Sequence, residues 1–417
     1  MTLNVSGTLS GNVQVPPSKS VAHRMLICAA LSDSPCTIVC QSVNRDMEAT
    51  VACLNALGAD ITYSDGRFTV NPITKVNKGA VLDCAESGST LRFLLPVAAA
   101  LGADATFTGQ GRLPQRPLSP LYEEMTAHGV SMSPNGHMPL TCQGTLPAGT
   151  YTIDGGVSSQ FISGLLMALP LTGKESRIII TGKQESASYI ALTLNALAAF
   201  GIRTDGFTIP GGQHFTTPSG KVAVEGDWSG AAFWITAGVI GGKPITCTGL
   251  DYSHSAQGDR RIVDVLRTMG ADITATENTV TARPSNLTAA RIDCADIPDL
   301  VPILAVAATS AQGTTLFDNI RRLRIKESDR VLSILQLLSG AGISAYASDN
   351  TLTVTGGPAR GCAYDPSGDH RMAMAAAVLA SAKNISITIS DADCTAKSYP
   401  AFFDDFNALG GIVHKQQ

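Results

Sequence analysis

The sequence predicts an α/β fold of two domains, each built from three copies of one unit, and three observations carry that expectation. A glycine that ends an apolar-periodic helix just before a strand, as Gly58 does in Ala52-Cys-Leu-Asn-Ala-Leu-Gly58-Ala-Asp-Ile, recurs at Gly129, Gly201, Gly270, Gly342 and Gly410. The intervals are 71, 72, 69, 72 and 68 residues, the mark of a repeated supersecondary unit. A small or acidic residue opens an apolar helix at Ser20, Ser89, Ser159, Ser229, Asp299 and Asp369, at intervals of 69, 70, 70, 70 and 70 residues, and each suits an N-cap or a first turn. Finally, 417 residues exceed what one core supports, and a hydrophobic content of 44% is ample for two.

Each unit reads as an extended segment, an apolar helix, a strand, a second helix ending at the glycine, and a hairpin. Residues 81–84, 89–101 and 105–107 illustrate the first half. Turn signals at Asp65-Gly66, Asn135-Gly136 and Asp349-Asn350 mark the hairpins. The sixth unit stops at Gln417 without its second hairpin strand or a further extended segment. Residues 3–6 and 13–15 look like those missing pieces, so the N-terminus is expected to pair with the last unit. The first domain then spans 17–225 and the second takes 1–16 and 226–417, with crossings near Pro16-Pro17 and Gly226.

A net charge of −4 argues against a broad nucleic-acid surface, so any anion site must be focal. The ten cysteines are irregularly spaced, with no Cys-x-x-Cys pair and no His/Cys cluster, which predicts reduced core thiols in a cytosolic protein. The longest apolar runs, 93–103 and 372–382, fall short of the ~20 residues of a membrane span, and no secretory or transit segment is expected before Val5.

Residues 321–330, Arg-Arg-Leu-Arg-Ile-Lys-Glu-Ser-Asp-Arg, hold seven charges in a chain only 15% charged, just ahead of an apolar helical pattern. A solvated charge run is the ordinary reading. Stacked like charges at a helix start, where spare N–H groups already favour anions, point instead to an anion site. Other helix starts repeat the pattern. Pro17-Ser-Lys19-Ser20-Val-Ala-His-Arg24 places cations where they oppose the helix dipole. Glu86-Ser-Gly88-Ser89-Thr90-Leu-Arg92 offers a glycine beside hydroxyls, and Gly155-Gly-Val-Ser158-Ser159-Gln160 a cradle of hydroxyls and an amide. Arg112 and Arg116 lie in a glycine and proline loop. Asp299 follows Asp296-Ile-Pro, Asp369-His370-Arg371 precedes a wholly apolar helix, and Lys397 precedes the final helix. Capping, a solvated loop or a buried ion pair would explain each alone. Seven cations near the same end of their units, Lys19, Arg24, Arg116, Lys326, Arg330, Arg371 and Lys397, are harder to dismiss.

With the six units, the strings Pro17-Ser-Lys-Ser20, Lys326-Glu-Ser-Asp-Arg330 and Asp369-His-Arg-Met-Ala-Met374 make the chain resemble, over essentially its full length, the 5-enolpyruvylshikimate-3-phosphate synthases of the enolpyruvyl transferase family. The resemblance implies that family's two-domain fold, an inside-out α/β barrel of six βαβαββ repeats with three per domain. It also implies a cytoplasmic monomer without cofactor or metal, with small-molecule substrates and no nucleic-acid or membrane partner. The reaction implied is transfer of the enolpyruvyl group of phosphoenolpyruvate to the 5-hydroxyl of shikimate 3-phosphate, with release of phosphate, in aromatic amino-acid biosynthesis. Carried over residue by residue, Lys19, Ser20, Arg24, Ser158, Ser159, Gln160, Ser186, Asp299 and Lys326 would contact shikimate 3-phosphate. Phosphoenolpyruvate would meet Lys19, Gly88, Arg116, Gln160, Arg330, Arg371 and Lys397. Asp299 and Glu327 are the family-like base and acid, in environments expected to push their proton affinities apart, and Lys19, Lys326 and His370 complete the implied catalytic set. Two positions depart from the usual pattern. Glu86-Ser-Gly-Ser89 stands where many members have Asn-Ala-Gly-Thr, which leaves the response to glyphosate-like inhibitors open, and Arg322 stands where many have Asn. The alternatives are a UDP-N-acetylglucosamine 1-carboxyvinyltransferase, which would place a cysteine in the 109–116 loop, and a non-catalytic phosphometabolite-binding protein, which would need neither Glu327 nor Asp299.

Overall fold

The structure, a computed structural model, describes residues 1–135, 137–220 and 222–416. Gly136, half of one expected hairpin turn, and the terminal Gln417 lie outside the described residues. The chain divides into two compact units, Pro17–Val224, and Met1–Pro16 with Glu225–Gln417. Glu225, expected at the end of the first domain, groups with the other unit.

The helices of the unit Pro17–Val224 are α1 (Lys19–Ala30), α2 (Arg45–Leu57), α3 (Gly88–Ala100), α4 (Leu121–Ala127), α5 (Ser159–Ala168) and α6 (Ala187–Ala199). The other unit holds α7 (Trp228–Ile240), α8 (Ile262–Thr268), α9 (Val301–Ala308), α10 (Arg330–Gly340), α11 (His370–Lys383) and α12 (Phe402–Ala408). Helices α3, α5, α7, α9 and α11 are buried around nearly their whole circumference, which is why their sequences are apolar on every face. They fill the interior of each unit. At the contact of α3 with α5, a Cβ on Gly164 would collide with the carbonyl oxygen of Arg92, so glycine is required for the helices to meet.

Each unit carries three sheets. Strands Val81–Asp83, Ala105–Thr108, Leu140–Gln143 and Ser131–Met132 lie in that order, the first pair parallel and the others antiparallel, with α3 as the crossover. The repeat glycines all adopt positive φ, from 78° at Gly342 to 117° at Gly58, as helix-ending glycines do. The repeating small and acidic residues sit slightly inside the helices. Ser18, Ser87, Ser158 and Asp227 occupy the N-cap positions, and Asp369 alone of the expected six is itself the cap.

The N-terminal strands differ from expectation in one respect. Thr2–Ser6 pairs with Ile387–Ile389 and Ile412–Gln416 of the last repeat, but Gly11–Gln14 joins the fourth, parallel to Ile245–Thr248. Val222–Ala223 correspondingly leads the first repeat, parallel to Cys36–Val39. Each chain crossing parts a leading strand from the helix that follows it, so the two leading strands are exchanged. Among the described residues the sheet of the third repeat holds three strands, Thr150–Asp154, Ser176–Thr181 and Thr208–Ile209. No helix among the described residues is long and apolar enough to cross a membrane. All ten cysteines are free thiols, nine of them buried.

Candidate active site

In the unit Pro17–Val224 the expected residues gather at the starts of α1, α3 and α5. Lys19, the first residue of α1, donates to Asp46 Oδ2 at 2.9 Å, a first-turn acid of α2. One turn on, Arg24 is 2% exposed. It donates to Ser20 O at 2.6 Å, Thr193 Oγ1 at 2.7 Å, Tyr189 O at 2.9 Å and Ser163 Oγ at 3.3 Å, and lies 4.8 Å from the Phe93 ring centroid. All of these hydrogen bonds end on neutral oxygens. Burial lowers the Arg24 pKa to about 10, so the guanidinium stays charged. A buried cation without a carboxylate is costly unless an anion completes it.

Beside Lys19 a chain of hydroxyls ties α1, α2 and α3 together. His23 Nδ1 lies 2.7 Å from Thr50 Oγ1, which lies 2.7 Å from Thr90 Oγ1, and Thr90 donates to Ser87 Oγ at 2.7 Å. Burial first, then Lys19 and Arg24, hold the His23 pKa well below its usual value, so the ring is neutral. Ser87 caps α3, and a Cβ on Gly88 would lie 2.6 Å from Arg116 Nη1, so Arg116 rests directly over the helix start. Gln160 links α5 to α3, accepting from Arg92 Nη1 at 2.7 Å and donating to Ser89 Oγ at 2.9 Å, while Arg92 also donates to Pro117 O at 2.9 Å. Ser158 caps α5 by accepting from the Gln160 amide at 3.3 Å, and Ser159 follows it, 4% exposed. Ser186, 1% exposed, precedes α6 in the left-handed region at φ 56°, which a serine adopts only under constraint.

In the other unit the acidic and basic residues converge. Asp299 lies in the 3₁₀ turn Pro298–Leu300 and receives Lys326 Nζ at 3.2 Å, Arg330 Nη1 at 2.7 Å and Arg371 Nη2 at 3.3 Å. Arg330 also donates from Nη2 to Glu327 Oε2 at 2.8 Å and from Nε to Asp369 Oδ2 at 2.8 Å. Burial works against its charge, but Asp369, Glu327 and Asp299 outweigh it and its pKa is raised. Lys326 and Arg330, two cations of the charge run, thus meet carboxylates of their own unit. Only Arg330 of that run is helical in α10; Lys326 is extended and Asp329 is the cap. Burial, opposed by Asp299 and reinforced by Arg322 and Arg330, brings the Lys326 pKa down to about 8. Asp369 accepts from the Arg371 amide at 3.0 Å and from Ser328 Oγ at 3.0 Å. His370 opens α11 and is 2% exposed, and Lys397 donates to Gly368 O at 2.7 Å.

Asp46 and Arg92 are two members of this arrangement that the sequence did not single out, whereas Asp369 was expected in a cluster of acid, imidazole and guanidinium that a buried ion pair would also explain. Arg92 carried no signal, because its partner Gln160 is 68 residues away.

A family model described as EPSP synthase (3-phosphoshikimate 1-carboxyvinyltransferase) matches residues 3–406. A 3-phosphoshikimate 1-carboxyvinyltransferase of Clostridium kluyveri is 43% identical over 414 residues, covering 97% of this chain and 96% of the relative. One from Clostridium acetobutylicum is 39% identical over 419 residues, covering 98% and 96%. In three dimensions the chain is similar to an EPSP synthase from Acinetobacter baumannii, with a TM-score of 0.81 at 22% identity and 100% of both chains covered. An enolpyruvyl transferase from Streptomyces tendae superposes with a TM-score of 0.76 at 19% identity, over 99% of this chain and 98% of its own. At such identities the two solved structures speak to the fold.

Proposed function

The chain belongs to the EPSP synthase family, and from that premise we propose how its own residues carry the reaction. It transfers the enolpyruvyl group of phosphoenolpyruvate to the 5-hydroxyl of shikimate 3-phosphate and releases phosphate. Lys19, Ser20, Arg24, Ser158, Ser159, Gln160, Ser186, Asp299 and Lys326 hold shikimate 3-phosphate. Lys19, Gly88, Arg116, Gln160, Arg330, Arg371 and Lys397 hold phosphoenolpyruvate. Arg24 is the observation that carries the substrate reading, because its buried charge is met by neutral oxygens and the anionic groups of shikimate 3-phosphate supply what it lacks.

Asp299 accepts the proton of the 5-hydroxyl as that oxygen attacks C2 of phosphoenolpyruvate, and Glu327 gives a proton to the methylene carbon. In the resulting adduct C2 carries a methyl group, the phosphate and the new ether. Glu327, now ionised, takes a methyl proton back; the double bond re-forms and phosphate leaves, its growing charge met by Lys19 and Lys326. His370, sealed at the start of α11, completes the set. These steps draw on side chains alone, and we place the enzyme in the cytoplasm as a monomer with no nucleic-acid or membrane partner.

The loop 109–116 contains no cysteine, which disfavours a UDP-N-acetylglucosamine transferase. The deciding experiment is phosphate release. It is expected only when both shikimate 3-phosphate and phosphoenolpyruvate are present, and turnover with UDP-N-acetylglucosamine in place of the former would overturn the reading. Binding of both without release would leave a metabolite-binding protein.

A further inference from the structure

Asp259 is a buried carboxylate for which the steps above have no use. It lies in the 3₁₀ turn Gly258–Arg261, is 2% exposed, accepts a hydrogen bond from Ser229 Oγ, and its Oδ1 has no hydrogen-bond partner. Its place is set firmly. Gln257, two residues earlier, donates to Gly226 O at 2.8 Å and accepts from the Trp228 amide at 3.2 Å, which fastens the turn to the start of α7. The same helix packs against the turn that carries Asp299 and against α11, which carries Arg371. The groups that act on Asp259 through space are Asp299, Arg371 and Asp227.

An acid this deeply buried is normally paired with a cation or replaced by a neutral residue. Here the proximity of further carboxylates adds to the burden. Burial first, and Asp299 next, push the Asp259 pKa up to about 6, against Arg371 and Ser229, which pull it down. The folded-state pKa is raised, so the penalty is fully present above about pH 6 and is relieved as pH falls toward the unfolded value. At neutral pH the protein therefore carries a charge that lowers its stability.

Asp299 explains why such a charge would be kept. Three cations face it, and cations strengthen a carboxylate's ionised form and so weaken it as a base. A negative charge nearby, which Asp259 carries above about pH 6, acts in the opposite sense. We propose that Asp259 is a positioning residue for the proton transfer, a buried negative charge held by Ser229 that offsets the cations around Asp299 and keeps Asp299 basic enough to take the 5-hydroxyl proton. This rests on the reading of Asp299 as the base.

The test compares the pH dependence of kcat in the wild type, Asp259→Asn and Ser229→Ala. Asparagine keeps the shape and can still accept from Ser229. Asp259→Asn is expected to lower the plateau severalfold and to abolish the fall in kcat through about pH 6 that protonation of Asp259 imposes on the wild type, so that the acidic limb lies lower. Its Tm at pH 7.5 should be equal to or above that of the wild type, whereas a structural carboxylate would lower it. Ser229→Ala removes the donor that favours the charged form, so Asp259 should lose its charge at a higher pH and the limb should move up, and this variant decides the matter if Asp259→Asn does not fold. An acidic limb unmoved in the folded variants would overturn the proposal. Asp299→Ala separates the two readings: near-normal turnover there would show that Asp299 is not the base, while lost turnover there with an unmoved limb in Asp259→Asn would sink the role of Asp259 alone.

Discussion

Arg330 and Asp369 form an ion pair sealed from solvent, Nε to Oδ2 2.8 Å, with 1% and 0% of the two side chains exposed. Its two charges come from the first turn of one helix and the cap of another, so the pair joins α10 to α11 at the ends that carry the proposed phosphoenolpyruvate residues.

Removing one partner leaves the other charge buried. Asp369→Ala should lower stability by about 2–4 kcal/mol, since it takes from Arg330 the most buried of its three carboxylates and also uncaps α11. Urea denaturation checks this through the midpoint. A change below about 1 kcal/mol would mean that Glu327 and Asp299 satisfy Arg330 alone.

Glu327→Gln keeps the shape and a hydrogen-bond acceptor for Arg330 Nη2 but has no proton to deliver. Both substrates should bind within a few-fold of the wild type by calorimetry, while phosphate release falls by about 10²–10⁴. Near-normal release would remove Glu327 from the mechanism.

What was legible in the sequence follows a physical line between local and distant partners. The helix-ending glycines were readable because the left-handed backbone at Gly58 or Gly410 is a local demand that glycine alone meets cheaply. Lys19 with Asp46 and Arg92 with Gln160 were not, because 27 and 68 residues separate the partners and no period relates them. The charge run 321–330 read as awaiting an external anion, yet Arg330 draws three carboxylates from within its own unit. Arg24, taken alone, looked as apt to be solvated as to hold an anion, and only its place among seven cations near the same ends of their units marked it; it is buried with its hydrogen bonds on neutral oxygens. Exchange of the leading strands was hidden for a related reason. Val222–Ala223 and Gly11–Gln14 are each plausible lead strands, and choosing between sheets depends on where the chain crosses.

At Gly88 the close approach of Arg116 makes a substitution informative. A Cβ there would sit 2.6 Å from Nη1, and the flexible guanidinium would be the group to yield. Gly88→Ala should leave Tm nearly unchanged and raise KM for phosphoenolpyruvate by about tenfold or more, the weight of one charge-assisted hydrogen bond. KM for shikimate 3-phosphate should move far less. Equal rises in both would show that the helix start, rather than Arg116, has been disturbed.

Lys326 should set the alkaline limit of the enzyme. Its pKa of about 8 means that the ammonium is present below that pH and is lost above it, because burial with Arg322 and Arg330 outweighs Asp299. If this ammonium holds shikimate 3-phosphate and meets the departing phosphate, kcat/KM for shikimate 3-phosphate should fall as pH rises through about 8. Lys326→Arg tests the assignment, because a guanidinium keeps its charge throughout that range. The variant should lose some activity at pH 7, since arginine cannot reproduce the geometry of lysine, but its profile should stay level to a higher pH. A wild-type profile that remains flat well above pH 8, or an arginine variant with the same limb, would show that another group sets the limit.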